Sequence, residues 1–340
     1  MTSSPVHDLG PAQRFMRSIG LHSRRYTNAV MVAEALERGI TVTQSKQKAQ
    51  RVVLSHEGRR FTWSGGGTNL NLPSARRLVS YKEVTSRLLL NRDITAPENA
   101  VFAPQDADRA WAWGEKLLPL VIKPKDENQG TDVIVGVETH DQFVEAFHRV
   151  AANRSSLLVE EFHTGVEHRC LTVDNKLVAV TRRRPASVRG DGRSTIEALI
   201  ASKNERRRNI HKKLTLDAEA IQYLAKHGFT PSSVPTEGER VYLLGASNIH
   251  RGGDAIDATD ELTPDEVAQV EKAAAQFPGL RLGALDVLLP REGATGPLSI
   301  LEVNANPMIS MHHLPWEGQP RNAAGAILDA MFPDTAQQSR

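Results

Sequence analysis

Apolar and polar positions change rhythm several times along the chain, and each change marks an element. Thr27 to Arg38 reads as a helix closed by Gly39. RVVLS and RRFTW flank His56-Glu57-Gly58 as two strands flank a hairpin turn. SGGGTNLNLPS, from Ser64, has no regular pattern and reads as a flexible loop. SYKEVTSRLLLN opens with a Ser80–Glu83 capping box ahead of an amphipathic helix. The apolar strand LPLVIKP follows, ended by Pro124. Next come the polar turn DENQGTDV, the strand VIVGV, the helix THDQFVEAFHRVAA and the strand SLLVEEF. HRCLTVDNKLVAVTRRR reads as a hairpin turning at Asp174-Asn175. GDGRSTIEALIASKNERRR is a loop and then a helix that Ser194 can cap, and LDAEAIQYLAKHG is a helix ended by Gly228. Thr263, Pro264 and Glu266 start a helix between the strands ERVYLLG and LRLGALDVLL, and LSILEVN is the last strand. This mixed order predicts an α+β fold rather than a doubly wound sheet. The expected units are an N-terminal domain (1–78), a central one (79–158), a C-terminal one (159–334) and a tail (335–340).

The chemistry concentrates near the end, in ILEVNANP. Side chains two apart in a strand share a face, so Glu302 and Asn304 present two hard oxygen donors side by side. Asp286 lies in the preceding apolar strand, and consecutive strands are usually neighbours. Such oxygens suit magnesium completed by substrate phosphates; a solvated edge strand is the competing reading. Lys123 ends the VIKP strand before a turn containing Asn128 and Gly130, and Lys82 begins the preceding helix. Backbone amides of such a turn can face phosphate oxygens. The chain has no GxxxxGK[ST] motif, so this is not a P-loop. Glu160-Glu161-Phe162 joins the two larger regions, where a hinge can read an adenine edge, and Glu167 can accept ribose hydroxyls. Solvated glutamates at a strand end are the plain alternative.

Charge adds little. Lys plus Arg is 42 against 40 for Asp plus Glu. The basic residues do cluster, at Arg182–Arg184 and Arg206–Arg208. Such runs are a solvated face, a set of forked donors for carboxylates or phosphates, or a nucleic-acid surface. Aromatics are 5% and interleave neither run, which argues against single-strand stacking. The one cysteine, Cys170, permits no intramolecular disulfide and fits a reducing cytoplasm as a core residue. No apolar run approaches the ~18 residues of a membrane span, and the N-terminus lacks a signal-peptide core.

Together these segments resemble the ATP-grasp ligases, especially the ATP-grasp part of cyanophycin synthetase and that of the bifunctional glutathione synthetases. YKEVTSRLLL, VIKPKDENQG, the long run from LLVEEF through GDGRSTIEALI, LGALDVLLP and LEVNANPMISMHHLPWEGQPRN carry the resemblance in order, from about Ser80 to Phe332. It implies three α+β domains with ATP between the central and C-terminal ones. By match, Asp286, Glu302 and Asn304 would hold Mg2+, with Mn2+ as a substitute. Lys82, Lys123 and the Asn128–Val133 loop would meet the phosphates, Glu160, Glu161 and Phe162 the adenine, and Glu167 the ribose. Arg183 would face the transferred phosphate or the acid substrate; Arg251 and the Arg206–Arg208 run suggest an anionic substrate, with Arg206, Asn248, Gly252 and Gly253 in its neighbourhood. The implied activity is amide or peptide bond formation through an acylphosphate, between amino acids or small peptides, in a cytoplasmic homo-oligomer without membrane or nucleic-acid partners. The Asn128–Val133 turn and the VRGDGR loop would be the lids. Relatives have LR at Leu243-Leu244 and STGG at His250–Gly253, so the resemblance does not carry over their substrates. Nucleic-acid binding through the arginine runs, and a ligase with a thiol or hydroxyl acceptor, are the alternative functions.

Overall fold

The computed structural model describes residues 8–125, 132–152, 154–207, 209–245, 247–291 and 293–336. The chain opens with α1 (Gly10–Ser18) and α2 (Tyr26–Glu37), then a four-stranded sheet of β1 (Thr41–Gln44), β2 (Val52–His56), β3 (Arg59–Ser64) and β4 (Gly67–Thr68) in sequential order. Glu57 and Gly58 both have positive φ, 45° and 79°, the geometry that lets a two-residue turn join β2 to β3. The expected flexible loop after Ser64 is instead held in place. Gly65 N–H donates to Asn28 Oδ1 at 2.8 Å, and a Cβ on Gly66 would lie 2.1 Å from the Pro307 carbonyl oxygen.

Next come α3 (Pro73–Leu78) and α4 (Lys82–Leu90). The expected Ser80–Glu83 capping box does not form. Ser80 Oγ donates to the Arg77 carbonyl at 2.7 Å, finishing α3, and Tyr81 precedes α4 without a side-chain cap. The central unit holds β5 (Asn99–Phe102), α5 (Ala107–Gly114), β6 (Leu120–Pro124), β7 (Ile134–Val137), α6 (His140–Ala151) and β8 (Leu157–Glu161), with strand order β5-β8-β6-β7. A Thr139–Gln142 capping box starts α6, whose Phe143, Phe147 and Val150 pack on the sheet.

The C-terminal half is built on β9 (Val166–Val173) and β10 (Lys176–Arg184). An insertion follows, comprising β11 (Ser187–Arg189), α7 (Ile196–Arg206), α8 (Ala218–Lys226) and β12 (Arg240–Tyr242). Thr195, not Ser194, caps α7, because Asp191 takes the Ser194 hydroxyl at 2.8 Å. Then come β13 (Asp254–Asp257), α9 (Pro264–Ala274), β14 (Leu282–Leu289), β15 (Ser299–Asn304), α10 (Ser310–His313) and α11 (Ala323–Met331). The large sheet runs β13-β10-β9-β14-β15. Every strand pair within these sheets is antiparallel, as an α+β fold requires.

Residues 102–159 have a core of their own, and α4 packs on both β15 and β5, at the junction of the central unit and the large sheet. The N-terminal segment shares one core with α11: Met16, Ala29 and Trp63 bury against a cluster that includes Ile327, Leu328 and Phe332. Each such aliphatic or Phe side chain contributes about 1.5–3 kcal/mol on burial. Asn71, itself buried, ties this segment to the large sheet. It donates to the carbonyls of Leu282 (2.7 Å) and Ala305 (3.2 Å) and accepts from Leu282 N–H (2.8 Å).

Candidate active site between the two sheets

The inward faces of the central and large sheets enclose a cleft with two adjoining compartments. The inner one, about 350 Å³, holds Lys82, Lys123, Arg169, Arg183, Asp286 and Glu302. The outer one, about 670 Å³, has apolar walls from Val121, Val135, Leu288 and Leu301, with Tyr242 at its side. Lys123, Glu160, Glu167 and Arg183 line both.

Register explains the inner compartment. Asp286 pairs directly with Glu302 on β15 and with Arg169 on β9, and Asn304 lies two residues beyond Glu302. Immediately after that pair the register slips, so that Val287 faces Ile300 and Leu301 is left as the extra residue of a bulge. A bulge re-aims a side chain, and here Leu301 lines the cleft together with Glu302 instead of alternating away from it. Asn304 Nδ2 donates to Glu302 Oε1 at 2.9 Å, and Lys82 Nζ lies 3.6 Å from Glu302.

The cleft's cations meet carboxylates at every turn. Arg169 forks onto Asp286 at 2.7 and 2.6 Å, Arg183 reaches the same carboxylate at 2.8 Å and also touches Glu167, and Lys123 lies 2.5 Å from Glu160. Burial alone would push the Asp286 carboxyl up, but Arg169 and Arg183 outweigh it and hold Asp286 well below the ordinary carboxylate range. Burial works against the Arg169 guanidinium, yet Asp286 and then Glu302 raise it above its usual value. His250, at the rim, is lowered by burial and by Lys212.

Among the described residues no three His, Cys, Asp or Glu side chains converge as a metal site. The expected set is two carboxylates and an amide, and its chemistry fits a hard divalent cation. Asp286 spends hydrogen bonds on two arginines but, as a carboxylate with about four acceptor positions, keeps capacity for a further partner.

The other expected residues separate into two groups. Glu160, Glu161, Phe162, Glu167 and Asn248 line the cleft, with Ser247 donating to Glu167. The N–H groups of Glu161 and Phe162 already donate to the carbonyls of Glu98 and Pro119, at 2.8 and 2.9 Å, so neither is a free donor for a base edge. Arg251 pairs with Glu219 on α8 and does not line the cleft. Arg206 stacks over Trp316, 5.5 Å from its centroid, outside the cleft. Gly252 and Gly253 act through their backbone, their carbonyls accepting from buried Arg207 at 2.7 and 3.0 Å. Asn128 and Gly130 lie outside the described residues, as does Arg208. The VRGDGR loop, expected as a lid, is pinned: Gly190 N–H donates to the Glu239 carbonyl at 2.8 Å, and a Cβ on Gly190 would lie 2.2 Å from the Thr236 carbonyl oxygen. Sequence reasoning missed Arg169, although it lies two residues beyond Glu167 on one strand and so shares its face. It also missed Leu301, whose orientation depends on a bulge that no residue type announces.

The arginine runs are largely absorbed internally. Arg182 lies 3.7 Å from Glu261, Arg183 is bound to Asp286, Arg184 forks onto Glu317 at 2.7 and 2.8 Å, and Arg207 meets Asp254 at 2.6 Å. Cys170 is fully buried, and burial pushes its thiol far up, away from nucleophilic use. Among the described residues no helix is long and apolar enough to cross a membrane.

No family model matches the chain. Cyanophycin synthetase of Geminocystis herdmanii is 35% identical over 272 residues, 76% of this chain and 30% of that protein. The glutathione biosynthesis bifunctional protein GshAB of Desulfotalea psychrophila is 29% identical over 327 residues, 92% of this chain and 42% of that protein. The chain thus spans less than half the length of these relatives. Among solved structures, a bifunctional glutathione synthetase from Pasteurella multocida superposes with a TM-score of 0.70 at 24% identity, covering 95% of this chain and 46% of that one. With this fold and these relatives, the chain belongs to the ATP-grasp superfamily.

Proposed function

We propose that the chain is an ATP-dependent carboxylate–amine ligase that joins amino acids or small peptides through an acylphosphate. The observation that carries this reading is the Asp286–Glu302 cross-strand pair in a cleft whose cations converge from four elements, with Asn304 bonded to Glu302 behind it. Its similarity to two kinds of amide-forming synthetase supports the reading.

The chain's own residues supply binding and charge compensation. The apolar walls from Val121, Val135, Leu288 and Leu301 suit a purine base, with Glu167 beside it for ribose hydroxyls. Lys82 and Lys123 are paired with carboxylates. An incoming polyphosphate exchanges those partners for its own oxygens, so the cations are in place before it arrives. Arg183, between Glu167 and Asp286, is positioned to offset charge on the transferring phosphoryl group. A divalent cation, Mg2+ or Mn2+, would be held by Asp286, Glu302 and Asn304 and would neutralise phosphate charge. The substrate carboxylate attacks the γ-phosphorus and ADP leaves; an amine then attacks the acyl carbon, loses a proton and expels phosphate. Asn248 and His250 at the cleft rim are placed to contact the substrates.

The test is ADP release with pooled amino acids and dipeptides in the presence of hydroxylamine, which converts an acylphosphate to a hydroxamate. A pool-dependent hydroxamate that disappears in Glu302→Ala is the expected result. ATP-analogue binding without ADP or hydroxamate from any pool would overturn the ligase reading.

A further inference from the structure

A second pocket, about 290 Å³, lies between α7 and the turn carrying Trp316. It shares no lining residue with the cleft. Arg189, Lys203, Arg206 and Arg240 enter it, opposite Trp316 and Glu317. Among the described residues Arg189, Arg206 and Arg240 have no ion pair. Arg240 has only a long contact to Ser187 Oγ, at 3.4 Å. The two carboxylates that reach this cluster are already engaged: Asp254 with Lys203 (2.7 Å) and Arg207 (2.6 Å), and Glu317 with Arg184. Lys203, Arg206 and Arg207 all lie 5.2–5.5 Å from the Trp316 centroid. Gathering so many cations around one concavity is unfavourable unless an anion comes between them. Burial, and then Arg184 close by, lower the Arg240 guanidinium below its usual value against the opposing pull of Glu317 and Asp254.

We propose that this pocket is a second binding site, for a small carboxylate-rich molecule of the size of an acidic amino acid or dipeptide. Guanidiniums fork onto carboxylates. Val188 and Leu199 give the pocket an apolar wall for methylene groups. Glu317 in the same wall, held by Arg184, repels a phosphate dianion more than a carboxylate. The pocket is also too small for a nucleic-acid backbone, and its one aromatic residue is no stacking platform. It opens on the cleft's side of β12: Arg240 enters the pocket, and Tyr242, two residues on and therefore on the same face, lines the cleft.

The test is calorimetric titration of the whole chain, saturated with a non-hydrolysable ATP analogue, with the dipeptide Asp-Glu, the uncharged dipeptide Ser-Gln and inorganic phosphate. The expected result is Asp-Glu binding that weakens by about tenfold or more when two charge-assisted contacts are removed in Arg189→Gln/Arg240→Gln. Circular dichroism and analogue affinity should not change in that variant. A ligand-induced change in tryptophan fluorescence should vanish in Trp316→Phe. No Asp-Glu binding, binding indifferent to the double substitution, or phosphate binding as tight as that of Asp-Glu would each overturn the proposal. The outcome does not depend on whether the cleft is a ligase site, because no turnover is read.

Discussion

Arg207 is the most informative single side chain to remove. It and Asp254 have no exposed side-chain surface. Its guanidinium meets Asp254 at 2.6 Å, the carbonyls of Gly252 and Gly253 at 2.7 and 3.0 Å, and the Lys212 carbonyl. Arg207→Ala strands a buried carboxylate and leaves carbonyls without their donor. Breaking a buried ion pair by removing one partner costs about 3–5 kcal/mol. Lys203 remains 2.7 Å from Asp254 as a countercharge, which places the expected loss near the lower end, about 3 kcal/mol. Denaturant midpoints of wild type, Arg207→Ala, Asp254→Ala and the double variant read this directly. The cycle should give a coupling of about 2 kcal/mol or more, with the double variant less than additive. The Gly253 N–H, which donates to the Asn248 carbonyl at 2.9 Å, should lose hydrogen-exchange protection, and with it the ordered rim carrying Asn248 and His250. A loss under about 1 kcal/mol, the range of an exposed pair, would refute the reasoning.

Further outcomes can be checked independently. His168 and His211, lowered to about 4, and His312 and His313, lowered to about 3, are all kept neutral chiefly by burial. Their folded values lie below the unfolded value of about 6.5, so the unfolded chain binds more protons and stability falls as pH drops from about 6.5 towards 4 and 3. Proton uptake on unfolding, from midpoints across that window, should fall by about one equivalent in His168→Gln. Asn71→Ala leaves two carbonyls and one N–H buried without partners and should cost about 2–4 kcal/mol, measured by denaturation. Arg169→Met removes the fork from Asp286, whose carboxyl should rise while still paired with Arg183. Hydroxamate formation should fall while analogue binding persists, and unchanged turnover would remove Arg169 from the charge balance of the site.

Strand alternation made the Glu302–Asn304 face legible, because a two-residue period needs no tertiary information; Asp286 needed the further rule that consecutive strands pair, which β14 and β15 obey. The Asp174-Asn175 turn, at φ 49° and 63°, and the Thr263–Glu266 capping box were equally local and equally readable. The Ser80 and Ser194 caps were misread because a hydroxyl can turn back to the preceding segment as easily as cap the next one. Arg206, Arg207 and Arg251 looked alike as basic residues. Their distinct fates, over Trp316, inside a buried ion pair and on Glu219, are set by partners 32 to 110 positions away in the chain.

The core shared by the first strands and α11 has a consequence for how the chain is made. Trp63 and Met16 leave a ribosome long before Ile327 and Phe332 are synthesised. Through that interval the apolar side of α2 that meets α11, and the β2–β3 face that meets Phe332, stay uncovered. Contacts of such sequence separation form slowly and late. The N-terminal segment therefore completes its core only once α11 is made, and a chaperone that holds nascent chains would find a long-lived substrate surface there.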